Sequence, residues 1–403
     1  MDRLTNEERH VVEAAKARHD EAFAQAQGWA AINSGSRNLA GLARVANELE
    51  TAFSVLPGTI EMVEPAPVSA VDEAGEEVAL EHGRHLHLTV RPEAPVQLLF
   101  TGHMDTVFGE DHPFQKLEWI EEGKVLNGPG ITDMKGGIAV MLAALKALED
   151  SPYADRFGYE VVINSDEEIG SASSQPLLRQ AAKGKRAAFT YEPSALPDGT
   201  LAGARSGSGN YAITIRGRSA HAGRNPRDGR NALVAAADLA LRLKGEMDDT
   251  LSVNPAKIDG GGPNNVVPDL TILRINFRCV DLDDQARAER LVADHVASVA
   301  AEHEVEIDVH GGFGRPPKPM TPPMEELFGL VKRASADLGQ EIGWKATGGV
   351  CDGNNIAATG VPVVDTMGVR GGAIHSPKEF LIVESIGERA ALSALTIARL
   401  ISE

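Results

Sequence analysis

At 403 residues the chain is longer than one hydrophobic core usually organises, so two structural units are expected. Its 42% hydrophobic and 24% charged residues are those of an ordinary globular protein, while a formal net charge of −19 excludes nucleic acid and anionic membranes as partners, since both require basic surfaces. Two cysteines, Cys279 and Cys351, cannot build a disulfide framework, no apolar run approaches the ~18–20 residues that span a bilayer, and the charged N-terminus lacks a signal-peptide core; a cytoplasmic location is the expectation.

The N-terminal stretch reads as helical: in NLAGLARVANELETAF, Leu39, Leu42, Val45 and Leu49 recur at helical spacing. TIEMVE, HLHLTV and the continuous apolar run VQLLFTG read as strands, the last of the buried kind. GGIAVMLAALKALED, behind a glycine-rich loop, reads as a helix, YEVVINS as a strand, SQPLLRQAAK as a helix and RAAFTYE as a strand. Strands alternating with helices predict an α/β layer around a mainly parallel sheet.

Near residue 206 the pattern changes. GNYAITIRG alternates like a two-faced strand, RNALVAAADLALRLKGE reads as a helix, LSVNPAKID and LTILRINFRCV as strands, DDQARAERLVADHVASVAAEH as a helix and EVEIDVH as a strand. This β-α-β-β-α-β order is the ferredoxin-like pattern. It ends at the proline-rich RPPKPMTPP, which reads as a linker. MEELFGLVKRASADLG (helix), VPVVDTMG (strand) and ESIGERAALSALTIARLISE (helix) complete the chain. The expected organisation is an α/β unit of residues 1–205 and 317–403, interrupted by a smaller α+β unit at 206–316.

The segment INSDEEIG sets two glutamates side by side at the end of a strand, which alone means no more than a solvated loop. Its neighbours change that meaning. TGHMDT puts His103 and Asp105 after one strand, NGPGITDMKGG puts Asp133 before a helix, NSDEEIG supplies Glu167 and Glu168, YEPS supplies Glu192, and GGAIHSPKE supplies His375 after the last strand. Open α/β sheets bind ligands at the carboxyl ends of their strands. Imidazoles and carboxylates without thiolate suit divalent metal, zinc foremost, with cobalt or manganese as alternatives. Five ligands, His103, Asp133, Glu168, Glu192 and His375, suffice for two cations if Asp133 bridges them. Three carboxylate charges against four positive favour a shared hydroxide near neutral pH. Asp105 is placed to accept the second N–H of His103, and Glu167, left beside the shared water, fits a general base.

HMDT, GPGITDMKGG, SDEEIGS, YEPS, GRSAHAG and GGAIHSPKE together resemble the dizinc aminoacylase/acetylornithine deacetylase/glutamate carboxypeptidase family, from about residue 30 to the end of the chain. The resemblance implies the same five ligands with Asp133 as bridge, Glu167 as base, a cis peptide after Asp133, and a smaller unit acting as lid and homodimer interface. It implies that His221 of GRSAHAG reaches a neighbouring active site as oxyanion donor, that Asn265 touches substrate, and that Arg315 receives the substrate's terminal carboxylate through its bidentate fork. Glu192 points to the carboxypeptidase and deacylase branches. Where glutamate carboxypeptidases carry Gly-Gly-Gly-Thr-Asp, this chain reads TGGVCDGNN, a departure at the substrate side-chain pocket. The expectation is a dinuclear zinc hydrolase that cleaves an amide beside a free carboxylate in a small molecule or short peptide, glutamate carboxypeptidase-like or, alternatively, an N-acyl amino acid deacylase. A non-catalytic metabolite-binding protein on the same scaffold is the rival, and the presence of every ligand and the base speaks against it.

Overall fold

The computed structural model describes residues 4–403. Helices α1 (Asn6–Ala17), α2 (His19–Ala30) and α3 (Leu39–Phe53) come first. Thr5 and Glu8 close a capping box on α1, satisfying amides that a helix start leaves free. Strands β1 (Thr59–Val63), β2 (His85–Val90) and β3 (Gln97–His103) follow, then helix α4 (Gly136–Glu149), strand β4 (Gly158–Asn164), helix α5 (Gln175–Ala182) and strand β5 (Ala187–Thr190). Apolar nearly all round, α4 is buried nearly all round.

The ferredoxin-like order then appears in full: β6 (Gly207–Arg216), α6 (Ala232–Gly245), β7 (Leu251–Gly260), β8 (Leu270–Cys279), α7 (Leu282–His303) and β9 (Glu306–Arg315). These strands form an antiparallel sheet of order β7-β8-β6-β9. Alternation in β6 sends Ile213 and Ile215 into a separate core with Leu239 of α6, Phe277 of β8 and Val292 of α7. The chain returns as α8 (Pro322–Asp337), α9 (Asp352–Ala357), β10 (Val363–Val364) and α10 (Ser385–Leu400).

The larger sheet runs β1-β2-β4-β3-β5-β10. β3 pairs in parallel with β4 and β5, and β10 in parallel with β5, while β1 and β2 add antiparallel pairings at one side. On one face Phe100 of β3 stacks on Phe189 and meets Tyr159 edge-on within a core shared with α1, α2, α4 and α10. On the other, Leu99 and Val162 pack with Leu178 of α5 and Ile356 of α9. Helices on both faces explain why β3 is buried from Leu98 to His103. Among the described residues, no helix is long and apolar enough to cross a membrane.

Two features depart from the sequence expectation. A hairpin of Val68–Val71 and Glu77–Leu80 lies against the helix-free face of the smaller sheet. Arg274 donates to the Val71 carbonyl at 2.9 Å, Arg216 to that of Gly75 at 2.6 Å, and Lys257 pairs with Glu73 at 3.3 Å. The segment RPPKPMTPP is also no free spacer. Lys318 and Arg205 exchange backbone hydrogen bonds of 2.9 Å, and both side chains converge on buried Asp365, Arg205 Nε at 2.7 Å and Lys318 Nζ at 3.0 Å.

Candidate metal centre

His103 ends β3 and is 1% exposed. Its Nδ1 lies 3.0 Å from the Asp105 carbonyl oxygen and 3.3 Å from the Asp105 carboxylate, which orients the ring and aims Nε2 into the site. Nε2 is 3.1 Å from Asp133 Oδ1 and 3.8 Å from Glu192 Oε2. Asp133 sits in an irregular turn between Gly130, whose φ of +67° favours glycine, and the start of α4. The Asp133–Met134 peptide is cis. Gly137 lets α4 press onto β5: a Cβ there would stand 1.9 Å from the Tyr191 carbonyl oxygen, so this glycine lets Asp133 and Glu192 approach.

The two glutamates of INSDEEIG lie in a single tight turn, Glu167–Ile169, after β4. Asp105 is fully buried and holds that turn: Oδ1 accepts the Glu167 amide at 3.1 Å and Oδ2 the Glu168 amide at 3.2 Å, with Ser36 Oγ a further donor at 2.7 Å. The turn sends the adjacent carboxylates to different neighbours. Glu168 Oε2 lies 3.1 Å from His375 Nε2, whereas Glu167 Oε1 lies 2.8 Å from Arg315 Nη2.

His375 comes not directly off a strand of the large sheet, as the sequence suggested, but from the tip of a small hairpin formed by Gly371–Gly372 and Phe380–Ile382. The regular ladder of strand VPVVDTMG covers Val363–Val364, followed by a single bridge of Thr366 to Tyr191, and the chain then folds back before His375. Its Nε2 also lies 3.2 Å from Asp133 Oδ2. The two oxygens of Asp133 therefore face different histidines, with Glu192 completing one group and Glu168 the other.

Electrostatics follow from this crowding. Burial pushes Glu167 up to about 7 and Glu168 up to about 8, with Asp133 adding repulsion to both. Burial and Asp133 also raise Glu192. Contacts with Asp133 and Glu168 lift His375 to about 11, and carboxylate partners raise His103 well above its usual value despite burial. Asp133 is held low, its burial outweighed by the two histidines. Such a concentration of buried carboxylate suits divalent cation. Ligating atoms of His103, Asp133 and Glu168 lie within 4.8 Å of one another, as do those of His103, Glu167 and Glu192. All are imidazole nitrogen or carboxylate oxygen, the donor set of a zinc-type site.

A cavity of about 480 Å³ opens beside Asp133, Glu167, Glu192 and His375, and Arg205, Lys345, Val350 and Cys351 also line it. The departure TGGVCDGNN thus forms part of the pocket wall. Burial holds the Cys351 thiol far above its usual range, so it offers no thiolate.

The remaining expected residues fall into two groups. His221 and Asn265 are exposed neighbours at one edge of the smaller sheet, joined by a 2.9 Å bond from the Ala222 amide to the Asn265 carbonyl, and neither contributes to the cavity wall. His221 Nδ1 accepts from the amides of Gly223 and Arg224, which leaves its proton on Nε2. Arg315, expected to receive the substrate's carboxylate, is 7% exposed and already engaged within the chain: it donates to the Glu167 carbonyl at 2.6 Å and to Ser171 Oγ at 2.8 Å and faces the Glu167 carboxylate. Sequence reasoning also missed Asp352, which accepts from Ser171 Oγ and Asn164 Nδ2 at 2.5 Å each, and Glu379, which is bonded to the Asp133 loop. Glu379 lay within the motif that supplied His375, but nothing in its spacing signalled a backbone partner.

A turn-bound pair of glutamates, a strand-end histidine, a hairpin-borne histidine and an aspartate facing both, gathered beside one end of an α/β sheet, make the arrangement of a metallo-hydrolase. Residues 99–399 match the model of peptidase family M20/M25/M40, and the chain belongs to that family. It is 29% identical over 377 residues to carboxypeptidase G2 of Pseudomonas sp. (strain RS-16), covering 91% of this chain and 86% of that protein. It is 27% identical over 309 residues to a succinyl-diaminopimelate desuccinylase of Verminephrobacter eiseniae (strain EF01-2), covering 72% of this chain and 75% of that one. The crystal structure of the M20 family metallo-carboxypeptidase Sso-CP2 from Sulfolobus solfataricus shares the fold, with a TM-score of 0.72, 16% identity, and coverage of 95% of this chain and all (100%) of that one.

Proposed function

We propose that this protein hydrolyses an amide bond adjacent to a free carboxylate, using two divalent cations, zinc foremost, held by His103, Asp133 and Glu192 on one side and His375, Asp133 and Glu168 on the other. The supporting observation is the split engagement of Asp133, one oxygen 3.1 Å from His103 and the other 3.2 Å from His375. Cations bound there supply Lewis-acid polarisation of the scissile carbonyl and a water made acidic enough to attack at neutral pH.

The chain's own groups do the rest. Glu167 takes a proton from the attacking water and delivers it to the amine as the C–N bond breaks. Asp105 fixes His103 and both glutamate amides. His221 offers an Nε2 proton suited to a developing oxyanion, and Asn265 beside it faces the same substrate. Since neither belongs to the cavity wall of its own chain, both act in the site of a second copy. Support for a homodimer comes from the exposed Val234 and Leu241 of α6, seven residues apart on one face, and from β7, whose outer edge is free to pair. Two free, buried cysteines accord with a cytoplasmic setting.

Carboxypeptidase action on short peptides is the first reading, and the likeness to carboxypeptidase G2 over most of the chain favours it. N-acyl amino acid deacylation is the second, favoured by the desuccinylase relatives. Zinc-loaded protein is screened against dipeptides and N-acyl amino acids, each with and without a free carboxylate, with the products identified. Cleavage of the amide only in carboxylate-bearing substrates is expected, each releasing a free amino acid, with the carboxylate-blocked counterparts left intact. No hydrolysis across the panel, with less than one metal equivalent bound, returns the non-catalytic reading.

A further inference from the structure

One buried carboxylate has no part in the chemistry above. Glu379 is 1% exposed and lies four residues after His375. Its Oε1 accepts the amides of Thr132 at 2.9 Å and Asp133 at 3.1 Å, and its Oε2 accepts that of Gly130 at 3.2 Å. Its backbone carbonyl accepts Asn127 Nδ2 at 2.6 Å, and its amide donates to Ser376 at 3.0 Å. A carboxylate buried beside Asp133 is disfavoured by desolvation and by like charge, and three converging N–H donors are what can hold it there.

We infer that Glu379 is a positioning residue, pinning the hairpin that carries His375 to the loop that carries Asp133 so that both reach the same cation. This rests on the paired-cation reading. The hairpin needs such a pin. His375 sits at its tip with φ +61°, its side chain 53% exposed, and the hairpin's own ladder to Val125–Asn127 is only three residues long. The Asp133 loop has a matching need, because its buried amides at positions 130, 132 and 133 find their acceptor in Glu379. One side chain therefore answers both. The His375–Asp133–Glu168 group depends on it most, through both His375 and Asp133, whereas the other group keeps His103 and Glu192 set by β3 and by the segment after β5.

The experiment uses full-length protein stripped by chelation and titrated calorimetrically with Zn²⁺. Wild type takes up two equivalents. Glu379→Ala is expected to keep the first near wild-type affinity and to weaken the second by about 10- to 100-fold, as loss of an orienting partner does. Its metal-free melting temperature falls somewhat below that of metal-free wild type, because Ala leaves three buried amides without an acceptor, so the unequal loss between the two equivalents is the deciding readout. Glu379→Gln is the second variant: its amide oxygen can still accept from Thr132 and Asp133, so it recovers most of the second-site affinity. Wild-type affinity for both equivalents in Glu379→Ala overturns the inference. So does equal loss of both equivalents, which marks a merely structural role. A wild-type protein that binds no second equivalent removes the paired-cation reading, and this inference with it.

Discussion

Arg315 Nη2 lies 2.8 Å from Oε1 of Glu167 and also donates to the carbonyl of the same residue at 2.6 Å. Arg315 is the last residue of β9, so the strand leaving the smaller sheet grips Glu167 of the larger unit. An arginine engaged in this way sets where Glu167 points. Arg315→Ala is expected to lower kcat by about 10²-fold, the order of loss caused by a displaced catalytic group, with little change in KM. Steady-state kinetics on matched acid and amide substrates checks this. A rise in KM confined to substrates with a free carboxylate would restore the clamp role that the sequence suggested.

Glu167 itself has the most direct test. Glu167→Gln keeps shape and leaves an oxygen for Arg315, so the site stays assembled and binds metal as wild type does. Turnover is expected to fall by about 10²- to 10⁴-fold, the usual contribution of general acid–base catalysis. Metal analysis alongside kcat separates loss of the base from loss of the cations. Retained turnover assigns the base elsewhere.

Much of this site was legible because strand ends are legible. VQLLFTGH and YEVVINS are apolar runs that stop at polar residues, so His103 and the glutamate pair could be placed at one sheet edge from period and composition alone. Different roles for the paired glutamates were expected because adjacent carboxylates leaving a strand meet different neighbours, here His375 for Glu168 and Arg315 for Glu167. The hairpin at 68–80 escaped notice: its strands are short and half-polar, and its partners lie some two hundred residues away, with Arg274 bonded to Val71. Arg315 was placed at the hinge without its partner Glu167, which is distant in sequence and is met only because the fold brings β9 over the turn. Glu379 and Asp352 satisfy other groups deep inside, a task with no periodic signature.

The buried carboxylates make metal-free stability depend on pH. Asp352 is raised from 3.8 to about 7, Glu167 and Glu379 to about 7 and Glu168 to about 8, burial being the first cause in each. A folded pKa above the unfolded one means the native state holds the proton more tightly. Its stabilisation is complete below the unfolded value and lost as pH rises through the folded one. Asp133, held low, works in the opposite sense only in strong acid. Metal-free protein is therefore expected to melt at a progressively lower temperature as pH rises from about 5 to about 8. Zn²⁺ is expected to abolish most of that fall, because the cations take over the charge that protons balanced. Thermal melts with and without Zn²⁺ across this range check both halves, and a pH-independent metal-free melt contradicts the assignment of strain to these carboxylates.

His221 and Glu167 offer a test of whether one site draws on two chains. His221→Ala and Glu167→Gln each disable every site in a homodimer of that variant. If His221 serves its own chain, mixing the two variants yields nothing, since each chain still carries one defect beside its own cations. If it serves the partner, a mixed dimer contains one site with the intact base of the His221→Ala chain and the intact imidazole of the Glu167→Gln chain. Random reassortment then makes half of all dimers mixed and returns about a quarter of wild-type sites for a two-fold assembly. The exposed placement of His221 and Asn265, outside the cavity wall of their own chain, leads us to expect the second result. Reassortment from mild denaturant, followed by activity measured against mixing ratio, decides it: a bell-shaped recovery peaking at equal proportions supports sharing between chains, and a flat baseline at wild-type dimer content rules it out.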